Sequence, residues 1–471
     1  MPGLRVSDVD REDRKDRQES RPEKAGWKDD KERLQNMKCL LEDACLAESW
    51  QEFYAYKWEH QHLSEKEAAE LRDFMDREAW LPLCDAWRAG TFPDALPVKH
   101  VVNKEGTRKK RVVYSFAGDA GIFLKYIAWQ LFRFDDWFAP NCYAFRRSVG
   151  VKDAILRIRR DTRIGRQYCL KVDVSDYFNS IDVDTLLEKL SFVQERDRDV
   201  YELLARILRE NRVVEERHIV TESHGAMAGT PISPFCANVY LRDVDFYFLE
   251  KRATYFRYSD DILLFADSRE ELEQYQKELT DRLYELHLKL NPDKVKISAP
   301  GESWDFLGFG YRNGRIDLAE NTIRKTKARI KRKAEALRRW QRKKGLAPEK
   351  AAVGLIHAMN RKFYGSPDGQ MDSDLWQTEG ADGTEDTDRI DGTDGTGEFT
   401  WSRWFFPCLT TDEGLKEIDR YFQEYIRYTV TGRHYKGNFR IRYETLKEWG
   451  YESLVHAYYE MQHAQHVQSS G

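Results

Sequence analysis

Cysteine is sparse in this chain of 471 residues and never paired at short spacing. Cys39, Cys45, Cys84, Cys142, Cys169, Cys236 and Cys408 stand singly, in an odd total and with no CxxC. That argues against a zinc site and against a disulfide framework, and it suits a reducing compartment. Long apolar runs are also missing: no segment approaches the roughly eighteen uninterrupted apolar residues that a membrane-spanning helix needs. The N-terminal stretch MPGLRVSDVDREDRKDRQESRPEKAGWKDDKERLQ lacks the apolar core of a signal peptide, so a cytoplasmic protein without membrane contact is expected. Net charge is nearly absent too. With 77 Lys and Arg against 81 Asp and Glu, the sum is −4, and partners have to be read from where charge is segregated.

A hydrophobic content of 41% fills several cores, and a chain of this length predicts two to four packed units. Residues 1–30 read as a disordered, charged lead-in. From Leu34 to about Trp87 apolar residues recur at helical spacing and predict two or three amphipathic helices. PVKHVVNKEGTRKKRVVYSF then reads as a β-hairpin with a basic tip, followed by the helix GIFLKYIAWQLFRFDDWF. From about 166 to 312 strands and helices alternate. Asn321 to Lys350 is dense in Lys and Arg, with only Glu335 and Glu349 as acids. Residues 366–398 invert the sign, with repeated DGT units too polar and Gly-rich to bury a core, and read as a flexible insertion. GLKEIDRYFQEYIRYTVTG predicts a last amphipathic helix, with Leu415, Ile418, Phe422, Tyr425 and Ile426 on one face and Gly432 as C-cap.

The segment FRYSDDILLF (Phe256–Phe265) places Asp260 and Asp261 side by side in an apolar run. Neighbouring strand residues point to opposite faces, so two adjacent carboxylates escape a core only at a hairpin tip. A further aspartate, Asp173, ends the apolar strand YCLKVDV. Three carboxylates brought together repel, and their pKa values rise unless cations neutralise them. Two Mg²⁺ ions suit such hard oxygen ligands, and an ion pair of this kind supports in-line phosphoryl transfer. Solvent-facing turn residues are the ordinary alternative.

The neighbouring segments carry a resemblance. YSDD (Tyr258–Asp261) resembles the Tyr-x-Asp-Asp box of the palm-domain reverse transcriptases, and KVDVSDYFNSID (Lys171–Asp182) resembles their first catalytic motif. GTPISPFCANVYL (Gly229–Leu241), LHLKLNPDKVKI and FLGF (Phe306–Phe309) resemble three further motifs of that family, in its order. The resemblance covers roughly residues 100–312. It implies an α+β, right-hand fingers-palm-thumb polymerase with a ferredoxin/RRM-like palm and helical N- and C-terminal regions: N-terminal helices and fingers in 31–165, palm in 166–312, basic thumb helices in 313–365 and a helical region in 399–471. It implies an RNA-directed DNA polymerase using Mg²⁺, or Mn²⁺ in its place. Asp173, Asp260 and Asp261 with the Val174 carbonyl would hold metal. Phe178 would screen the ribose 2′-hydroxyl, Arg111 with Lys109 and Lys110 would grip triphosphate, and Gly229 would lie by the nucleotide. Lys294 would protonate pyrophosphate, or be an ordinary surface lysine. Phe306, Leu307 and Gly308 would approach the primer. Arg146 fits a template contact or a structural salt bridge equally. Met227 and Ala228 replace the family's Pro-Gln, which removes a contact to the incoming nucleotide.

Arg324, Lys325, Lys331 and Arg332 lie on the basic stretch, where a thumb helix would track a phosphate backbone. The aromatics of WSRWFFP are expected to pack in a C-terminal core rather than to stack bases. The GTPISPF and ANVYL segments and the C-terminal tail most resemble the bacterial unknown-group, defence-associated reverse transcriptases. That implies dNTPs, an RNA template in the form of a dedicated noncoding RNA, a cDNA product, and a protein partner or homo-oligomer. A retron-type or free-standing intron-derived enzyme, or a non-catalytic RNA-binding scaffold, are the other readings.

Overall fold

The computed structural model describes residues 39–61, 63, 65–103, 110–365 and 400–469. The expected lead-in, the acidic segment at 366–398 and the hairpin tip with Lys109 lie outside them. Helices α1 (Ala47–Gln61), α2 (Glu65–Asp76) and α3 (Trp80–Arg88) precede β1 (Val98–Asn103), β2 (Lys110–Ser115), α4 (Gly118–Gln130) and α5 (Val151–Arg160). Next come β3 (Tyr168–Asp173), α6 (Arg198–Arg209), the hairpin β4 (Arg212–Glu215) and β5 (His218–Thr221), and α7 (Ser233–Glu250). The hairpin β6 (Thr254–Tyr258) and β7 (Asp261–Ala266), α8 (Arg269–Glu285), β8 (Lys296–Ser298), β9 (Trp304–Phe306), β10 (Phe309–Arg312) and β11 (Arg315–Leu318) follow. The longer helices of the remainder are α9 (Glu320–Lys344), α10 (Pro348–Tyr364), α11 (Glu413–Thr431) and α12 (Leu454–Ser469). Among the described residues no helix is long and apolar enough to cross a membrane.

The expected α+β class is found. The palm sheet runs β6-β7-β3-β8 with every pair antiparallel. With α7 after β3 and α8 after β7, this is the βαββαβ order of a ferredoxin-like fold. Strand periodicity explains why these runs are apolar throughout. Leu170, Val172, Ile262 and Leu264 enter one core, while Cys169, Leu263, Phe265 and Phe256 enter the other. Alternate side chains point to opposite faces, so a sheet covered on both sides needs apolar residues at every position, and ILLFA supplies them. Charges occur at its ends or with a partner, as Lys171 with Asp305 and Arg257 with Asp245.

A second sheet runs β2-β1-β4-β5, with β1 parallel to β4 through Val98 and Val214, so that it joins a hairpin from the expected fingers block to one from the expected palm block. Among the N-terminal helices the rings of Phe74, Trp80, Phe123 and Tyr126 pack around Trp50, with Tyr126 stacked on it at 4.2 Å.

The cores divide the chain differently from the blocks expected of it. Tyr143 and the α5 residues Val151, Ala154, Ile155 and Ile158 belong with residues 304–461, not with the N-terminal helices. The expected palm–thumb boundary at 312 falls inside the β10–β11 hairpin, where Arg312 pairs with Arg315. Trp401, Phe405 and Phe406 are buried in the second core, as packing residues. Asp419, buried in α11, ties down the C-terminal helix: it accepts from Tyr451 Oη (2.9 Å), Ser453 Oγ (2.7 Å), Leu454 N (3.0 Å) and Val455 N (3.1 Å). Asp419→Ala strands these donors, and a loss of about 3 kcal/mol is expected, read as a lower denaturation midpoint with the N-terminal core unaffected.

Candidate active site

Asp173 is the last residue of β3 and pairs directly with Asp261, the first residue of β7. Asp261 in turn faces Tyr258 across the β6–β7 hairpin, whose turn is Ser259–Asp260, with Ser259 at φ 59°. A two-residue turn needs left-handed backbone, and it lifts Asp260 out of the sheet's alternation. Val174 N donates to Asp260 O at 3.2 Å, and Asn291 N donates to Asp173 O at 2.8 Å, so the chain beyond β3 is stitched to both neighbours. Asp173, Val174, Asp260 and Asp261 are thereby gathered at one end of the palm.

The electrostatics follow from that crowding. Burial, then the Asp261 and Asp173 charges, push the Asp260 carboxyl up to about 7. Burial also raises Asp261, against the pull of Lys171. Lys294, in the turn Pro292–Lys294, forms an ion pair with Asp173 Oδ2. Burial draws its ammonium down, but the hydrogen bond to Asp173 and the neighbouring carboxylates raise it on balance. Lys171 is paired with Asp305 at 2.6 Å.

Among the described residues, the only trio of His, Cys, Asp or Glu ligand atoms within 4.8 Å of one another is Cys39, Asp197 and Asp199. That trio serves the packing of the N-terminal helices, because Asp197 accepts from Leu40 N (2.8 Å) and caps α6 through Val200 N (3.1 Å). The three aspartates of the palm are more widely spaced. Two ions about 3.5–4 Å apart, each with ligands at about 2 Å, span a broader cluster than a single ion does, so this donor set fits a pair of hard cations.

Below the turn lies a layer that the motifs did not reveal. Arg257, wholly buried in β6, makes a bidentate pair with Asp245 of α7, Nε to Oδ1 at 2.7 Å and Nη2 to Oδ2 at 2.6 Å. It also donates to Ser259 O and Asn238 Oδ1, both at 3.3 Å, and to Cys142 Sγ at 3.1 Å. Tyr255 Oη donates to the same Asp245 at 2.9 Å. The available signal was one charge within each of two apolar patterns, Arg257 in TYFRY and Asp245 on the buried face of α7 with Leu241 and Phe248, since buried charges occur paired.

On the side of the second sheet, Tyr114 N donates to Ala228 O at 2.7 Å. Gly229 follows at φ 97°, and a Cβ there would come within 2.9 Å of Tyr114 O. Glycine is needed for this close approach of two backbones. Met227 and Ala228 are buried. A cavity of about 410 Å³ opens alongside, lined by Arg111, Phe178, Gly229, Phe145, Trp129 and Lys125 among others. Arg111, Phe178 and Gly229 are thus brought together. Phe178 is half-buried against Phe145 and Tyr177, its ring centre 6.1 and 5.5 Å from theirs. Lys110 sits at the exposed start of β2 and does not line the cavity.

Two expectations change. Phe306 is fully buried in the second core, so its side chain is unavailable to a primer; the turn it precedes exposes parts of Leu307 and Gly308 only. Arg146 is structural and uses no salt bridge: it is buried and donates to the carbonyls of Ala139 (3.0 Å), Cys142 (3.1 Å) and Asp135 (3.0 Å). On α9, Thr326, Ile330, Ala334 and Leu337 face the core, while Arg324, Lys325, Lys331 and Arg332 lie outside that buried stripe.

Residues 102–311 match the family described as Reverse transcriptase (RNA-dependent DNA polymerase), so this part of the chain is a reverse transcriptase domain. No curated protein matches. Among solved structures, a C-terminally truncated apo telomerase from Candida tropicalis is similar at 14% identity and TM-score 0.38, over 47% of this chain and 55% of that one. The chain therefore spans about half of that relative. Telomerase from Candida albicans in complex with a telomeric RNA fragment is similar at 12% identity and TM-score 0.39, over 79% of this chain and 67% of that one. An RNA polymerase complex inside a dsRNA virus is similar at 11% identity and TM-score 0.40, over 61% and 27%.

Two outcomes are expected. The raised Asp260 carboxyl keeps its proton in the folded protein at pH values where the unfolded chain has lost it. With chelator present, stability should then fall as pH rises from about 4 to 7, and Asp260→Asn should flatten that slope in denaturation midpoints, leaving the smaller part that Asp261 contributes. Arg257→Leu strands a buried Asp245 and should cost about 3–5 kcal/mol, measured the same way.

Proposed function

We propose that this reverse transcriptase domain makes the chain an RNA-directed DNA polymerase. The observation that carries the reading is the pairing of Asp173 with Asp261 beside the Asp260 turn, which collects three carboxylates where nothing else in the fold requires them. Asp173, Asp260, Asp261 and the Val174 carbonyl would hold two Mg²⁺, or Mn²⁺ in their place; bound there, such ions would supply activation of a primer 3′-hydroxyl and charge neutralisation for the leaving pyrophosphate. The 3′-oxygen attacks the α-phosphorus of a dNTP, the bond to the β-phosphate oxygen breaks, and pyrophosphate departs.

The chain's own residues position and discharge that step. Arg111, with Lys110 at the rim, offsets triphosphate charge. Phe178 in the cavity wall excludes a ribose 2′-hydroxyl, and the Gly229 backbone allows a nucleotide close to the loop. Lys294 donates a proton to pyrophosphate. Leu307 and Gly308 face the primer, and Arg324, Lys325, Lys331 and Arg332 follow the duplex backbone. The finer reading is a bacterial, cytoplasmic, defence-associated enzyme that copies a dedicated noncoding RNA into cDNA, supported by the likeness of its GTPISPF and ANVYL segments and C-terminal tail to that class.

Incorporation of dNTPs on a primed RNA template with Mg²⁺ tests the reading. Asp260→Asn and Asp173→Asn should each lower it by more than about a hundredfold, beyond what loss of a mere supporting partner of a metal ligand costs. Activity that survives both changes sinks the assigned site, and RNA binding without incorporation in the unmodified protein favours a scaffold. Phe178→Val should raise ribonucleotide use relative to deoxynucleotide use, read as a ratio of kcat/KM values.

A further inference from the structure

Residues 433–443, RHYKGNFRIRY, connect α11 to the short helix Tyr443–Glu448 and contain Arg433, Lys436, Arg440 and Arg442 without one acidic residue. All four cations are exposed, and among the described residues none is paired with a carboxylate. Between them Tyr435 and Phe439 stand 56% and 73% exposed.

These rings are displayed by a backbone that is held from below. Buried Asn438 donates Nδ2 to Arg433 O at 2.7 Å. Arg427 of α11, also buried, donates Nε to Ile441 O at 2.9 Å and stands 5.5 Å from the Phe439 ring centre. The Tyr435 ring lies so close over Gly437 that a Cβ there would meet it at 2.2 Å. His434 is occupied locally, stacked on Tyr428 at 4.6 Å and bonded to Glu424 at 2.8 Å. Arg338 of α9 donates to Gly432 O at 3.1 Å, so the loop starts beside the α9 cations Arg339 and Arg342. Folding does not require two large rings in water here, yet buried groups are committed to keeping them there.

We propose that this loop docks an unpaired segment of RNA, with Tyr435 and Phe439 stacking on bases and Arg433, Lys436, Arg440 and Arg442 on phosphates. Rings interleaved with cations are what a single strand offers partners for: every base has a face to stack, and every linkage has a charge. The choice of RNA over DNA rests on the polymerase reading, because DNA made on an RNA template leaves paired with it, and the strand with free bases is the RNA.

The test uses the full chain with chelator and without dNTPs. Anisotropy of a labelled oligouridine of about twenty nucleotides reads affinity, and Tyr435→Ala with Phe439→Ala should weaken it on the order of tenfold or more. Lys436→Glu with Arg440→Glu should weaken it and flatten its salt dependence. Gly437→Ala, which displaces the Tyr435 ring without removing it, should give a smaller loss. Extension of a short pre-annealed RNA–DNA duplex should be unchanged in all three, which also shows that they fold. Unchanged RNA affinity in the aromatic variant overturns the proposal, as does an oligothymidine that binds more tightly than the RNA, or a variant whose sole defect is a lost protein assembly. Because binding is read without catalysis, a failure of the polymerase reading would show separately, as Asp260→Asn retaining incorporation.

Discussion

The repulsion among Asp173, Asp260 and Asp261 has to be borne by the elements that carry them. β3 and β7 are held side by side by six paired positions, and the turn at Ser259–Asp260 cannot relax outward because Arg257 grips Ser259 O from inside the core. The cost of burying Arg257 is offset by a bidentate partner, Asp245, on the helix that underlies the sheet. A charge pair that stabilises little by itself thus fixes where another set of charges stands. Lys294, just before β8, and Lys171, on β3, moderate the same field.

The aspartates were legible because the sheet is apolar on both faces: in such a background any charge marks an end or a partner. The α11 face and the burial of the WSRWFFP aromatics were legible for a related reason, since apolar periodicity is what packing selects. Arg257 and Asp245 were not, because each looks like a lone charge until the fold brings β6 and α7 together. Phe306 misled in the opposite way. Its motif points to a primer, but an aromatic next to a tight turn between two short strands is drawn into the nearest core, here that of α9 and α11. The pairing of β1 with β4 was invisible for want of any local signal, since a parallel neighbour lies beyond a hundred residues of intervening chain.

The second sheet and the loop before α7 form one continuous surface. With Tyr114 N on Ala228 O and Gly229 pressed against Tyr114, Arg111 on β2 is referenced to the same loop that lines the cavity with Thr230 and Pro231. The N-terminal helices close the far side through Phe53, Tyr56 and Leu71. Arg111, Phe178 and Gly229 therefore share one cavity with side chains of α1 and α2, and a change in the packing of either helix is transmitted to the cavity by contact alone.

The position of α5 has a bearing on synthesis. Its buried residues Val151, Ala154, Ile155 and Ile158 belong to the core completed by Trp401, Phe406 and Tyr458, and its C-terminal turn is fastened by Arg159 to Pro407 O at 3.2 Å. A nascent chain must carry this amphipathic helix past the ribosome exit for roughly two hundred and fifty residues before that core is complete, over seconds at ordinary elongation rates. The intervening palm strands are themselves long-range pairings that close slowly. A ribosome stalled before residue 400 therefore releases a product in which this ten-residue helix and the palm face beside it lack Trp401, Phe405, Phe406 and the buried face of α11.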